Sequence, residues 1–135
     1  MNLEDVKNFI TQVKWGTLAT SDGRKVGARP MAGLAWNQNQ LWCASGVATD
    51  KVAQLKRVPH AEYCFCDASG KHVRIAGPCT ISTDNAEKLW LYNAVPDLKN
   101  YINDPLAPDY VVIKMTPDNI RTMNPDFTYH QVEIK

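Results

Sequence analysis

Apolar residues recur at helical spacing from the start of the chain. Leu3, Val6, Phe9, Ile10 and Val13 form one stripe. Asn2 suits the N-cap, and Glu4 and Asp5 suit the positive first turn, so the pattern predicts an amphipathic helix over 3–13. The period then changes. "GTLATSDGRKVGARPMAGLAW" reads as two strand-like runs joined at Asp22-Gly23, a hairpin turn signal, with the second run continuing to Trp36. "NQNQ" turns the chain into a third strand at 40–45. Pro30 has no N–H to give a ladder, so its strand needs an edge, a bulge or an irregular site.

Residues 49–57, "TDKVAQLKR", predict a short helix with Val52 and Leu55 inward, ended by Pro59. "AEYCFCDA" reads as a strand and "SGK" as a turn. "KHVRIAGPCTIS" is a longer strand broken at Gly77-Pro78. A further helix starts near Thr83 or Asp84, where Asp84 and Glu87 have capping-box spacing; Leu89, Trp90 and Tyr92 are its expected apolar face. Residues 95–109 hold three of the eight prolines and read as loop with one helical turn. "DYVVIKMTP", "NIRTMN" and "TYHQVEI" complete the strands. Six or more strands in hairpin-like succession, without βαβ alternation, predict a mostly antiparallel β-barrel with peripheral helices, one domain over 1–135.

Composition narrows the function classes. A chain that is 44% hydrophobic and 21% charged, with a net charge of +1, has no global attraction for nucleic acid or an anionic membrane. Any anion site must be local. No apolar run approaches the roughly 20 residues that span a bilayer, and "MNLEDVKNFITQVKW" is charged rather than signal-like, so a cytoplasmic protein is expected. Cys43, Cys64, Cys66 and Cys79 match no zinc spacing and read as free thiols, Cys64 and Cys66 sharing a strand face. No metal site is expected.

Two stretches carry candidate chemistry. In "ASGVATDKVAQL" a small-residue loop runs into a helix start at Thr49, with Lys51 in the first turn, where the helix dipole is already positive. An anion would meet free helix N–H groups, a hydroxyl and an ammonium there. Equally, Thr49 is an ordinary N-cap and Lys51 a solvated surface residue. In "ARPMAGLAW", Arg29 lies mid-strand among small and apolar neighbours. It faces solvent, or it faces inward with an anion for its guanidinium, beside Met31 and within reach of Ser45. His72 and Arg74 follow a turn and read as structural or exposed. No catalytic triad, H-E-x-x-H, P-loop or carboxylate pair is present.

The order of these pieces resembles the pyridoxamine 5′-phosphate oxidase-like FMN-binding split-barrel family, in its short, general stress protein-type branch. The likeness runs over about 3–125 through "GTLAT-SDGRKVGARPM", "LWCASGVATDKVAQLKRVPHAEYCF" and "KHVRIAGPCTI". It implies a homodimer of six-stranded antiparallel split barrels with two FMN molecules at the dimer interface. By position, Arg29 and Lys51 would hold the FMN phosphate with Thr49 and Ser45. The backbone of Pro30, Met31 and Ala32 would follow the isoalloxazine ring, and His72 would reach the flavin. Asp50 departs from the family's basic or neutral residue, and Met123 from an aromatic one. The Arg-x-His that grips substrate in longer members has no match, so pyridoxamine-phosphate oxidation itself is not expected.

The leading expectation is therefore a cytoplasmic, homodimeric, FMN-dependent oxidoreductase of unknown small-molecule substrate, with NAD(P)H as a candidate reductant. The tryptophans Trp15, Trp36, Trp42 and Trp90 would line the cleft or fill the core. Two other cofactors stay open: F420, served by Arg24, Lys25 and Arg74, or haem, with His60, His72 or His130 as axial ligand. A third reading is a non-catalytic flavin store, sensor or dimerisation module.

Overall fold

The computed structural model describes residues 1–134. Helix α1 (Leu3–Val13) opens the chain through a reciprocal capping box between Asn2 and Asp5. Strands β1 (Gly16–Ser21) and β2 (Val26–Met31) form the expected hairpin, turned by Gly23 at φ +95°. Then come β3 (Ala35–Asn37), β4 (Gln40–Gly46), α2 (Asp50–Arg57), β5 (His60–Cys66), β6 (His72–Ser82) and α3 (Asn85–Ala94). A 3₁₀ turn (Pro96–Asn100) precedes β7 (Tyr110–Met115), β8 (Asn119–Met123) and β9 (Tyr129–Gln131).

All strand pairs are antiparallel and fall into two sheets that share β6. The first runs β2-β1-β5-β6-β8-β9, and the second β3-β4-β7-β6. Gly77 and Pro78 are the last β6 residues opposite β5, and Cys79 is the first opposite β7. The expected break at Gly77-Pro78 is thus a change of partner inside one continuous strand. The backbone of Thr116 and Pro117 lies where a side chain on Gly77 would stand. Strands β2 and β3 are the two edges of the curled path, joined only by residues 32–34. The barrel is split there, and Pro30 sits on the β2 edge, where its missing N–H costs no ladder bond.

The main core lies inside the curl, where Leu18, Tyr63, Phe65, Ile75 and Ile113 meet Val6 of α1 and Val52 and Leu55 of α2. A second cluster, Trp42, Leu91, Val95, Leu98, Tyr110 and Val112, lies under α3 on the opposite face of β4 and β7. Burial on both faces explains why β7 reads as a continuous apolar run.

Several details differ from the sequence reading. Among the described residues there are nine strands where the resemblance implied six: β1, β2, β4, β5, β6 and β7 have six or more residues, and β3, β8 and β9 are shorter additions. The second run does not continue to Trp36. It stops at Met31, because Gly33 takes φ +71° and turns the chain against Val95 and Leu98. Helix α3 buries Lys88 and Leu91, while Leu89 and Trp90 are exposed. The apolar periodicity misled there because a lysine occupies an inward position. The last strand covers only Tyr129–Gln131 of the expected 128–134.

A Gly77→Ala protein should lose about 3 kcal/mol of stability, because the added carbon overlaps backbone rather than a flexible side chain. Chemical denaturation read by tryptophan fluorescence checks this.

Candidate functional site

The split between β2 and the end of β4 opens into a cavity of about 550 Å³. Five of the eight residues singled out in the sequence line it: Pro30, Met31, Ala32, Ser45 and Lys51. The facing wall comes from the segment after α3, through Leu98, Tyr101, Ile102, Asp104, Asp109 and Tyr110.

Local chemistry shapes the mouth of α2. Ser45 is buried, and its hydroxyl lies 3.1 Å from that of Thr49. Both hydroxyls also donate to the carbonyl of Gly46, at 2.9 and 3.0 Å. Thr49 sits at the N-cap, yet its side chain makes no capping bond. The N–H groups of the first turn of α2 therefore lack the side-chain acceptor that a threonine N-cap ordinarily supplies. Asp50 is exposed and does not line the cavity, so the acidic residue of this turn stands apart from Lys51.

Arg29 is half-buried beside this mouth. Its guanidinium donates to the Thr20 hydroxyl at 2.6 Å, the Leu18 carbonyl at 3.2 Å and the Gln54 side-chain oxygen at 3.4 Å. Thr20 in turn donates to the same Gln54 oxygen. Gly27 makes room for the folded-back guanidinium: a β-carbon there would stand 2.5 Å from Nη2. Every one of these acceptors is neutral. Among the described residues neither Arg29 nor Lys51 has a carboxylate partner, and Lys51 makes no hydrogen bond. Burial, opposed by Cys43 and reinforced by the positive charge of Arg29, lowers the Lys51 pKa below the ordinary lysine value of 10.5. Two like charges thus share a partly desolvated site without a counterion, an arrangement that favours an anion. The amides of the first turn of α2 stand beside this pair, while the Ser45 and Thr49 hydroxyl protons are given to Gly46.

His72 lies elsewhere in the single chain. Its ring nitrogens contact the Gly70 carbonyl at 2.9 Å and the Tyr129 hydroxyl at 3.2 Å, and it does not line the cavity. None of the four tryptophans lines it either. Trp42 is buried in the second cluster, with Trp90 edge-on at 5.1 Å, and Trp15 is exposed. Sequence reasoning missed Thr20 and Gln54, which hold Arg29. It also missed the wall at 98–110, a proline-rich loop with no periodic signal.

The fold and this cleft together define a split-barrel protein with a cavity at the barrel seam; its charged lining residues are Lys51, Asp104 and Asp109, and Arg29 and Thr49 stand beside it rather than in its wall. The sequence model of the pyridoxamine 5′-phosphate oxidase family matches residues 3–124, and the chain belongs to that family. No curated protein matches it. Among solved structures it is similar to a NimC/NimA family protein from Clostridium acetobutylicum, at TM-score 0.84 and 18% identity over 96% of this chain and 90% of that one. It is similar to General Stress Protein 26 from Bacillus anthracis, at TM-score 0.77 and 22% identity over 95% and 96%. A pyridoxamine 5′-phosphate oxidase-related, FMN-binding protein from Nostoc punctiforme aligns at TM-score 0.73 and 14% identity, over 96% and 94%. Among the described residues, no helix is long and apolar enough to cross a membrane.

The electrostatics predict a cost to stability. Lys51 binds its proton less readily when folded, so between its folded pKa and 10.5 the unfolded chain holds more protons and stability rises with pH. Without ligand, Lys51→Met should be more stable than the wild type at pH 7. That gap should close as pH rises towards 10.5. Paired denaturant titrations at several pH values measure it.

Proposed function

We propose that this protein binds FMN, with the phosphate held by Arg29, Thr49 and Lys51, and acts as an FMN-dependent oxidoreductase on a small molecule. The observation that carries the reading is the pair of cations, Arg29 and Lys51, which have no carboxylate ion pair among the described residues and lie beside the first turns of α2. A phosphate monoester would supply the missing negative charge to both. Arg29 would offer its guanidinium fork, Lys51 a point charge, and Ser45 and Thr49 their hydroxyls, turned from the Gly46 carbonyl to the phosphate. The backbone of Pro30, Met31 and Ala32 would form the wall along the flavin ring.

Membership of the pyridoxamine 5′-phosphate oxidase family and the likeness to an FMN-binding relative support the choice of a flavin. When bound, FMN supplies the electron-transfer chemistry; the protein anchors the phosphate and shapes the pocket around the ring. The reading places a second copy of the chain over the open side of the cavity, making a homodimer, and takes NAD(P)H as the reductant. Its setting is the cytoplasm, where the four free thiols would stay reduced.

The protein should purify yellow, with flavin absorbance bands and an FMN mass. Arg29→Ala combined with Lys51→Ala should keep the fold and weaken FMN binding roughly 100-fold or more, as expected for losing two charge-assisted contacts. An unchanged dissociation constant in that double variant overturns the phosphate assignment. Steady-state reduction of a test acceptor by NADH or NADPH separates an enzyme from a flavin store.

A further inference from the structure

The cavity wall after α3 is tethered at two places. At its start, Leu98 is buried in the second cluster. Near its end stands Lys88, a lysine of α3 that is only 3% exposed. Its ammonium donates to the Ala107 carbonyl at 2.6 Å and lies 5.2 Å from the centre of the Tyr110 ring. The Tyr110 hydroxyl returns a bond to the Lys88 carbonyl at 3.1 Å. The two residues thus clamp α3 to the foot of β7. Between the tethers, Tyr101 is 79% exposed and Leu106 48%, and Ile102 is the side chain that packs against the second cluster.

Among the described residues Lys88 has no carboxylate partner. A buried ammonium has three donors to satisfy and a large desolvation penalty. A methionine would fill similar space without that penalty. What the ammonium supplies, and an apolar side chain cannot, is a directional charge-assisted bond to one backbone carbonyl of the wall. Ala107 lines the cavity, as do Tyr101, Ile102 and Asp104 just before it.

We infer that Lys88 is a positioning residue for the cavity. Through Ala107 it holds residues 101–107 in the conformation that encloses the ligand, and so sets ligand affinity without touching the ligand. The part concerning affinity rests on the flavin reading; the part concerning the wall does not.

The test combines amide hydrogen exchange on the ligand-free protein with FMN titration, for wild type, Lys88→Met, Lys88→Arg and Tyr110→Phe. In Lys88→Met, exchange over 101–107 should quicken roughly tenfold while β1 and β5 keep their protection. FMN affinity should fall by a similar factor, and Lys88→Arg, which keeps a cationic donor, should restore most of both. Tyr110→Phe removes only the returning bond and should quicken the same segment less, which provides the reading if Lys88→Met does not fold. Wild-type exchange over 101–107 in both Lys88→Met and Tyr110→Phe overturns the inference. So does quicker exchange with FMN affinity within about twofold of wild type, since open walls would then bind as well as closed ones. If the wild type binds no FMN, the flavin reading fails, and the exchange data still decide whether Lys88 fixes the wall.

Discussion

One strand belongs to two sheets, and the rest of the molecule is arranged around it. The first half of β6 pairs with β5 and β8, the second half with β7, and the change of partner occurs after Pro78. Gly77 permits it, because only a residue without a side chain lets the Thr116–Pro117 backbone pass so close. The shared strand fixes the angle between the sheets. That angle carries β2 through β1 and β5, and β4 through β7, until the two face each other across the seam. The cavity is the space left where the curl does not close by hydrogen bonds.

What lines that seam is set against stability. Arg29 and Lys51 repel each other in a partly buried place, and the acceptors around Arg29 are neutral. Three other half-buried cations are balanced: Lys114 meets Glu87 at 2.8 Å, and Glu62 holds both Arg74 and Arg121, while the buried Lys88 turns to a backbone carbonyl. This contrast is what the proposal of a ligand for the Arg29–Lys51 pair rests on. The buried thiols offer no competing chemistry. Burial pushes the Cys43 pKa up to about 11 and that of Cys79 up to about 12, so both stay protonated at neutral pH.

Much of this was legible in the residues. The stripe in α1, the Asp22-Gly23 hairpin and the proline on an edge strand follow from local rules that the structure obeys, whereas the break expected at Gly77-Pro78 is a change of partner in an unbroken strand. The small-residue loop before Thr49 leads into the cavity through Ser45 and Gly46, and five of the eight chosen residues line that cavity. The failures have physical causes. Lys88 is polar by composition but inward by position, which hid the true face of α3. Gly33 ends β2 through its positive φ, a property that the apolar run around it masks. Gln54 and Thr20 hold Arg29 by long-range bonds that no local pattern encodes. The wall at 98–110 is placed by Leu98 and Lys88 rather than by periodicity.

The central claim is that the cavity is built around a phosphate. Binding of FMN and of riboflavin to the wild-type protein, compared by flavin fluorescence at one ionic strength, tests it most directly, because the two ligands differ only in that group. The account predicts that FMN binds roughly 100-fold tighter, the worth of the two charge-assisted contacts from Arg29 and Lys51. Equal affinities for the two flavins would contradict it.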